Sequence, residues 1–239
     1  MEKILIYGGT SLIAKELIKI LDSAENQFLI FCRNKQNFEN YLKENNLEKE
    51  KFSIYEVNLE NLEENIKIID SISDIKELYW IAGFTGDPKK EILDLSTCKK
   101  NINVNFLHPI IIMNKIISNS KIKINGSIAV VTSVAGLRGR AKNIFYGSAK
   151  SALISYLSGI RQKYDGKINV TTIIPGYIKT SKFSMKAPNF LIIEPSALAK
   201  KIVEGVRKKK EVIYSSIIWR VIMLCINLIP EKIFKKLKF

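Results

Sequence analysis

Lys3-Ile4-Leu5-Ile6-Tyr7-Gly8-Gly9-Thr10-Ser11-Leu12-Ile13-Ala14-Lys15-Glu16-Leu17 is an apolar run, a turn of small residues and the start of an amphipathic segment. Four to eight apolar residues rich in Ile and Val suit a strand buried on both faces. The pattern recurs along the chain. Further apolar runs occupy residues 27–32, 52–57, 77–82, 127–132 and 168–174, with a weaker one at 211–214. Helix-like stretches at 11–22, 34–46, 61–72, 96–119, 145–164 and 195–209 lie between them. Strand–helix alternation at this spacing predicts right-handed crossovers and an α/β fold, a doubly wound parallel sheet in three αβα layers. No linker, repeat or low-complexity stretch divides the chain. Residues 1–212 therefore read as one domain and 213–239 as an apolar and basic helical tail.

A chain of 239 residues is long enough for one well-buried core and short for two ordinary domains. Its 46% hydrophobic and 26% charged residues describe an ordered globular protein. No long uncharged apolar run predicts a membrane span, and Met1-Glu2-Lys3 leads straight into the first strand without signal-peptide architecture. Cys32, Cys98 and Cys225 stand far apart without CxxC spacing, so neither a disulfide framework nor a metal site is expected. A cytoplasmic location follows, with the inner face of the cytoplasmic membrane within the tail's reach. The net charge is +15, and from Ala199 onward eleven Lys/Arg face three Asp/Glu. Basic residues form no stripe interleaved with aromatics, which argues against nucleic acid as a partner.

Ligands of a doubly wound sheet bind beyond the carboxyl ends of its strands. The turn after the first strand, from Gly8 to Ala14, lets backbone N–H groups and a helix N-terminus approach a pyrophosphate; a plain tight turn is the alternative. The second strand ends in Cys32-Arg33. A carboxylate there would favour the ribose hydroxyl of NAD, whereas a cation favours the 2′-phosphate of NADP; a solvent-facing Arg is the bland reading. The strongest constellation begins where the strand at 128–132 ends in Ser133. Thirteen residues on comes Tyr146, and four beyond it Lys150, in Tyr146-Gly147-Ser148-Ala149-Lys150. That spacing places Tyr and Lys on one helix face. A neighbouring cation favours the phenolate and lowers a pKa that starts near 10, suiting proton transfer near neutral pH.

Taken together, these motifs resemble the compact short-chain dehydrogenase/reductase family over residues 1 to about 205. The Gly8 turn is similar to the family's TGxxxGxG, with Leu12 and Ala14 in place of two glycines. Ile81-Ala82-Gly83 stands at its NNAG and Asn105 at its catalytic Asn. Ser133, Tyr146 and Lys150 match the catalytic trio, and Pro175-Gly176-Tyr177-Ile178-Lys179-Thr180 matches the PG…T loop. Asn58 replaces an adenine-contacting Asp. The resemblance implies a Rossmann fold and an NAD(P)-dependent oxidoreductase that moves a hydride between nicotinamide and a carbonyl or alcohol. NADP(H) is expected ahead of NAD, and a homo-oligomer is expected. Implied catalytic residues are Asn105, Ser133, Tyr146 and Lys150. Tyr146 would be the acid (the base in oxidation), and Ser133 would bond the carbonyl oxygen. Lys150 would tune Tyr146 and hold the nicotinamide ribose, while Asn105 would support a water relay to it. Implied cofactor contacts are Gly8, Thr10, Ser11, Leu12 and Ile13 in the turn, then Arg33, Asn58, Ala82 and Gly83. Tyr146, Lys150, Pro175, Gly176, Ile178 and Thr180 complete them. A degenerate member that binds nucleotide as a scaffold or regulator is the alternative. Ala82-Gly83-Phe84-Thr85-Gly86-Asp87, the Gly8 turn and the tail's Trp219, Met223, Pro230 and Phe234 further resemble reductases of decaprenylphosphoryl-2-keto-sugars. That implies a keto-sugar substrate, free or lipid-linked.

His108, the lone histidine, lies one turn beyond Asn105, where packing or capping outweighs contact with cofactor or substrate. Lys208-Lys209-Lys210 reads as a solvated helix C-terminus. In the tail, a single helix would gather Ser216, Arg220, Asn227 and Glu231 within about 60° and leave the remainder largely apolar. A central Arg costs about 2.5–3.5 kcal/mol in a span. Peripheral contact as an interfacial helix, or burial against the domain or in a dimer groove, stays open.

Overall fold

The computed structural model describes residues 1–86, 94–180 and 187–237. Asp87 of the motif at 82–87 lies outside them. The order begins β1 Glu2–Tyr7, α1 Leu12–Leu21, β2 Asn26–Cys32, α2 Lys35–Glu44, β3 Phe52–Glu56, α3 Leu62–Asp70 and β4 Ile75–Trp80. It continues with α4 Leu95–Ile102, α5 His108–Ser118, β5 Ile122–Val131, α6 Ile144–Lys163 and β6 Asn169–Ile174. Then come β7 Tyr177–Ile178, β8 Ile192–Ile193, α7 Pro195–Arg207, β9 Val212–Tyr214, α8 Ile217–Leu228 and α9 Glu231–Phe234. Seven strands form one parallel sheet in the order β3-β2-β1-β4-β5-β6-β9. Sequence-adjacent β3 and β4 thus lie on opposite sides of β1, which opens a crevice at the carboxyl ends of β1 and β4.

Alternate residues of each strand feed opposite layers. Ile4, Ile6, Phe28, Ile30, Ala129 and Ile173 pack with Leu17, Phe38, Leu198 and Ile202 under α1, α2 and α7. Leu5, Leu29, Leu78, Ile128 and Val130 pack with Ile69, Ile112, Ile116, Leu153 and Leu157 under α3, α5 and α6. This is the doubly wound αβα sandwich expected. At the last or next-to-last residues of four neighbouring strands the second layer becomes a row of rings. Tyr55 faces Phe31 at 5.0 Å, Phe31 faces Tyr7 at 4.4 Å, and Tyr7 stacks on Trp80 at 4.1 Å.

Three features differ from the sequence reading. The stretch at 96–119 is not one regular helix, because a π-turn at Asn103–Leu107 separates α4 from α5. β9 forms from the weak apolar run at 211–214 and pairs with β6, so the sheet runs two residues past the boundary drawn at 212. The tail itself is two helices: Ile229 is extended and Pro230 caps α9, which ends the one-helix geometry. Trp219 and Met223 of α8 are buried with Val134 and Ile174. Among the described residues no helix is long and apolar enough to cross a membrane.

Candidate active site

The turn after β1 is tight. Gly8 has φ +91°, and a Cβ there would stand 2.8 Å from the Ala82 nitrogen, so only glycine lets β1 and the end of β4 approach. Gly8 and Gly9 both donate their N–H to the Phe31 carbonyl. Ser11 caps α1, accepting from the Ala14 N–H at 3.1 Å. A cavity of about 470 Å³ opens over this turn at the switch point. Gly8, Thr10, Ser11 and Leu12 floor it; Arg33 enters from the end of β2 and Asn58 from beyond β3. Ala82 and Gly83 enter beyond β4, and Thr180 reaches it from the loop after β7. The lining fits a dinucleotide: the first turn of a helix and an exposed guanidinium, Arg33, line one concavity. Leu12, at one of the positions where the turn departs from TGxxxGxG, is among the lining residues.

Not every candidate reaches this cavity. Ile13 is buried in the core under α1, and Ile178 is half-buried against the same layer. The Pro175 carbonyl accepts from the Val134 N–H at 3.0 Å. A Cβ on Gly176 would lie 2.0 Å from the Trp219 ring, so this glycine faces the tail. His108 is buried, with Nδ1 bonded to the Leu59 carbonyl. Among the described residues no cluster of His, Cys, Asp or Glu is suited to a metal.

The catalytic candidates gather beside the cavity. Gly136, three residues beyond Ser133, lets α6 press in, since a Cβ would meet the Lys150 backbone at 2.7 Å. Ser133 Oγ accepts from the Ala135 N–H at 3.1 Å, and its hydroxyl is hydrogen-bonded to the Tyr146 phenol. Lys150 is buried; Nζ donates to the Val131 carbonyl at 3.1 Å and lies 5.8 Å from the Tyr146 ring centroid. Burial alone draws the Lys150 ammonium down to about 8. The expected lowering of the Tyr146 phenol is overturned. Burial raises it, and the Ser133 hydroxyl and the Arg140 charge only partly oppose that. Asn105 sits in the π-turn, fully buried. Its Nδ2 donates to the Phe84 carbonyl at 2.6 Å and to Asn101 Oδ1 at 3.1 Å, while Oδ1 accepts from the Phe84 N–H at 3.1 Å. Asn105 therefore clamps the segment beyond β4, and one Oδ1 lone pair remains near Gly83 and Lys150.

A family model for short chain dehydrogenases matches residues 2–189. The chain belongs to the short chain dehydrogenase family. Among the relatives of this short chain dehydrogenase is an uncharacterized oxidoreductase of Mycobacterium tuberculosis, 22% identical over 156 residues. The match spans 65% of this chain and 63% of that protein's own length. A 3-oxoacyl-[acyl-carrier-protein] reductase of Rickettsia prowazekii is 25% identical over 74% of this chain and 72% of its own. In three dimensions, a short chain dehydrogenase from Burkholderia cenocepacia, solved in complex with NADP, superposes with a TM-score of 0.79 at 16% identity. That superposition covers 99% of this short chain dehydrogenase and 98% of the other chain.

Sequence reasoning passed over Lys100, Arg138 and Arg140. Lys100 lines the cavity, pairs with Glu60 at 2.6 Å and stands over the Phe84 ring. Arg138 donates to the Asn227 and Ile229 carbonyls at 3.1 and 3.2 Å and to Glu231 at 2.7 Å, with its guanidinium 4.3 Å from the Phe234 centroid. Three cations within 138–142, between Ser133 and Tyr146, were the available signal.

Proposed function

We propose that this chain is an NADP(H)-dependent carbonyl reductase. The observation that carries this is the convergence of Ser133, Tyr146 and the buried Lys150 beside a cavity built on the Gly8 turn. A bound reduced nicotinamide supplies a hydride to the carbonyl carbon. The chain's own part is protonic and positional. The Ser133 hydroxyl, paired with the Tyr146 phenol in the unliganded chain, would turn its proton to the carbonyl oxygen. Tyr146, whose phenol is shifted upward by desolvation and so is protonated near neutral pH, gives its proton to the developing alkoxide. Burial brings the Lys150 ammonium down to about 8, so it can return a proton to Tyr146. Arg33 supports NADP over NAD by offering a cation to the 2′-phosphate.

The substrate reading is a keto-sugar bearing phosphate, including a lipid-linked one. Arg140 supports it, because its charge acts on the Tyr146 phenol and its buried Nε has no hydrogen-bond partner among the described residues. An anionic substituent on the substrate would satisfy both. Oxidation of NADPH followed against keto-sugars, free, phosphorylated and lipid-linked, tests the proposal. Sustained turnover, fastest on the phosphorylated members, is expected. Tight NADPH binding with no turnover on any carbonyl would overturn it in favour of a nucleotide-binding scaffold.

A further inference from the structure

One side of α8 docks on the domain through Trp219 and Met223. At about 100° per residue, the opposite side presents Ile217, Val221, Leu224 and Leu228 within about 60° of arc. These four are 68%, 53%, 61% and 73% exposed. Ile233 and Leu237 beyond them are exposed as well. A contiguous apolar face of this kind marks an interaction surface. At its N-terminal end the stripe runs into a groove of about 380 Å³, where Val212 and Ile217 meet Lys201, Lys208, Lys210 and Arg220. Among the described residues, Lys208, Lys210 and Arg220 enter no ion pair. Glu204 is the single carboxylate lining that groove. Lys232, Lys235 and Lys236 add exposed cations on and just after α9.

We infer that this face docks on an anionic membrane surface, with the α8 stripe in the headgroup–acyl boundary and the groove cations on lipid phosphates. A helix of 12 residues is too short to span and lies in the plane of the interface. Charge selects the membrane over a second copy of the chain. A two-fold contact centred on α8 would set Arg220 and the groove lysines against the same cations of the partner. Anionic lipid accepts the stripe and the cations together. The inference does not depend on the reductase reading.

The full chain is sedimented with vesicles of phosphatidylcholine alone and of phosphatidylcholine with phosphatidylglycerol, at low and raised salt, with its mass in solution measured in parallel. Binding to the anionic vesicles only, weakening as salt rises, is expected. Replacing three groove cations together (Lys208→Ser, Lys210→Ser and Arg220→Ser) should lower partitioning about a hundredfold. A Val221→Ser, Leu224→Ser and Leu228→Ser variant should fail to bind at any salt. The neutral-vesicle and salt arms use the unaltered chain, so the test stands even where a variant does not fold. Equal binding to neutral vesicles overturns the inference. So does a stable dimer that ignores vesicles and is dissociated by the serine stripe. Thermal stabilisation by inorganic phosphate through the three cations, without vesicle binding, overturns it too. NADPH turnover on a water-soluble ketone is read separately: its absence with vesicle binding intact sinks the reductase reading alone.

Discussion

The carboxyl edge of the sheet is finished by two different means. Over β1, β2 and β4, the backbone makes the site: Gly8 turns at positive φ against Ala82, and the first turn of α1 presents its donors. Over β5, β6 and β9, side chains make it by reaching across long stretches of chain. Arg138 grips acceptors from Asn227 to Glu231, and Trp219 lies on Gly176 while its Nε1 donates to the Leu191 carbonyl at 2.9 Å. A backbone cradle suits a ligand common to many proteins, since N–H groups are indifferent to the side chains around them. Side-chain struts suit a wall that differs from protein to protein.

The contrast is sharpened most by Tyr146→Phe. It should cost 10²- to 10⁴-fold in turnover while NADPH affinity, measured by fluorescence titration, stays the same, because proton transfer and the cradle are separate. Retained turnover would break the proposed mechanism. Next is Trp219→Ala, which removes a buried ring and should cost about 3–5 kcal/mol in urea unfolding. If NADPH affinity falls with it, the two regions are not independent. Lys150 gives a pH signature of similar size. Its pKa is about 8 when folded and 10.5 when free, so the unfolded chain binds more protons between those values and stability rises with pH there. Below pH 8 the full cost of the buried ammonium is present. Relative to Lys150→Met, the natural chain should therefore gain about 3 kcal/mol between pH 7.5 and 10.5, read by unfolding at each pH. The Tyr146 phenol is common to both proteins and drops out of the difference. The smallest effect belongs to Arg33→Ala: about tenfold in the KM for NADPH, with NADH unchanged. Equal loss with both cofactors would show that Arg33 serves the cradle generally.

Legibility in the sequence follows the same division. The strands, the crossovers and the Gly8, Ser133 and Tyr146 motifs are local patterns of a few residues, and the structure places them as periodicity requires. What escaped is non-local. Arg138 looks like one cation among three until Glu231 and Phe234 fold back on it, ninety-odd residues later in the chain. Gly176 reads as part of a loop motif, although its lack of a side chain makes room for Trp219. The π-turn at Asn105 has no propensity signal, because what sustains it is the bonding of that amide to Phe84 and Asn101. The direction of the Tyr146 shift is non-local for a related reason. The spacing shows a nearby lysine, whereas the desolvation that raises the phenol, against Ser133 and Arg140, is a property of the packed whole.

The chain has two tryptophans, and the fold places one in each region. Trp80 closes the row of rings next to Tyr7 and Phe31, both of which line the cavity, while Trp219 pins α8. The molecule thus carries two native optical probes. With Trp219 replaced by Phe, excitation of the remaining indole would be drained by a reduced nicotinamide bound nearby, giving a quenching signal for cofactor occupancy. With Trp80 replaced, the emission wavelength would follow the polarity around the tail. Occupancy of the cradle and attachment of the struts would then be read from one chain without a label.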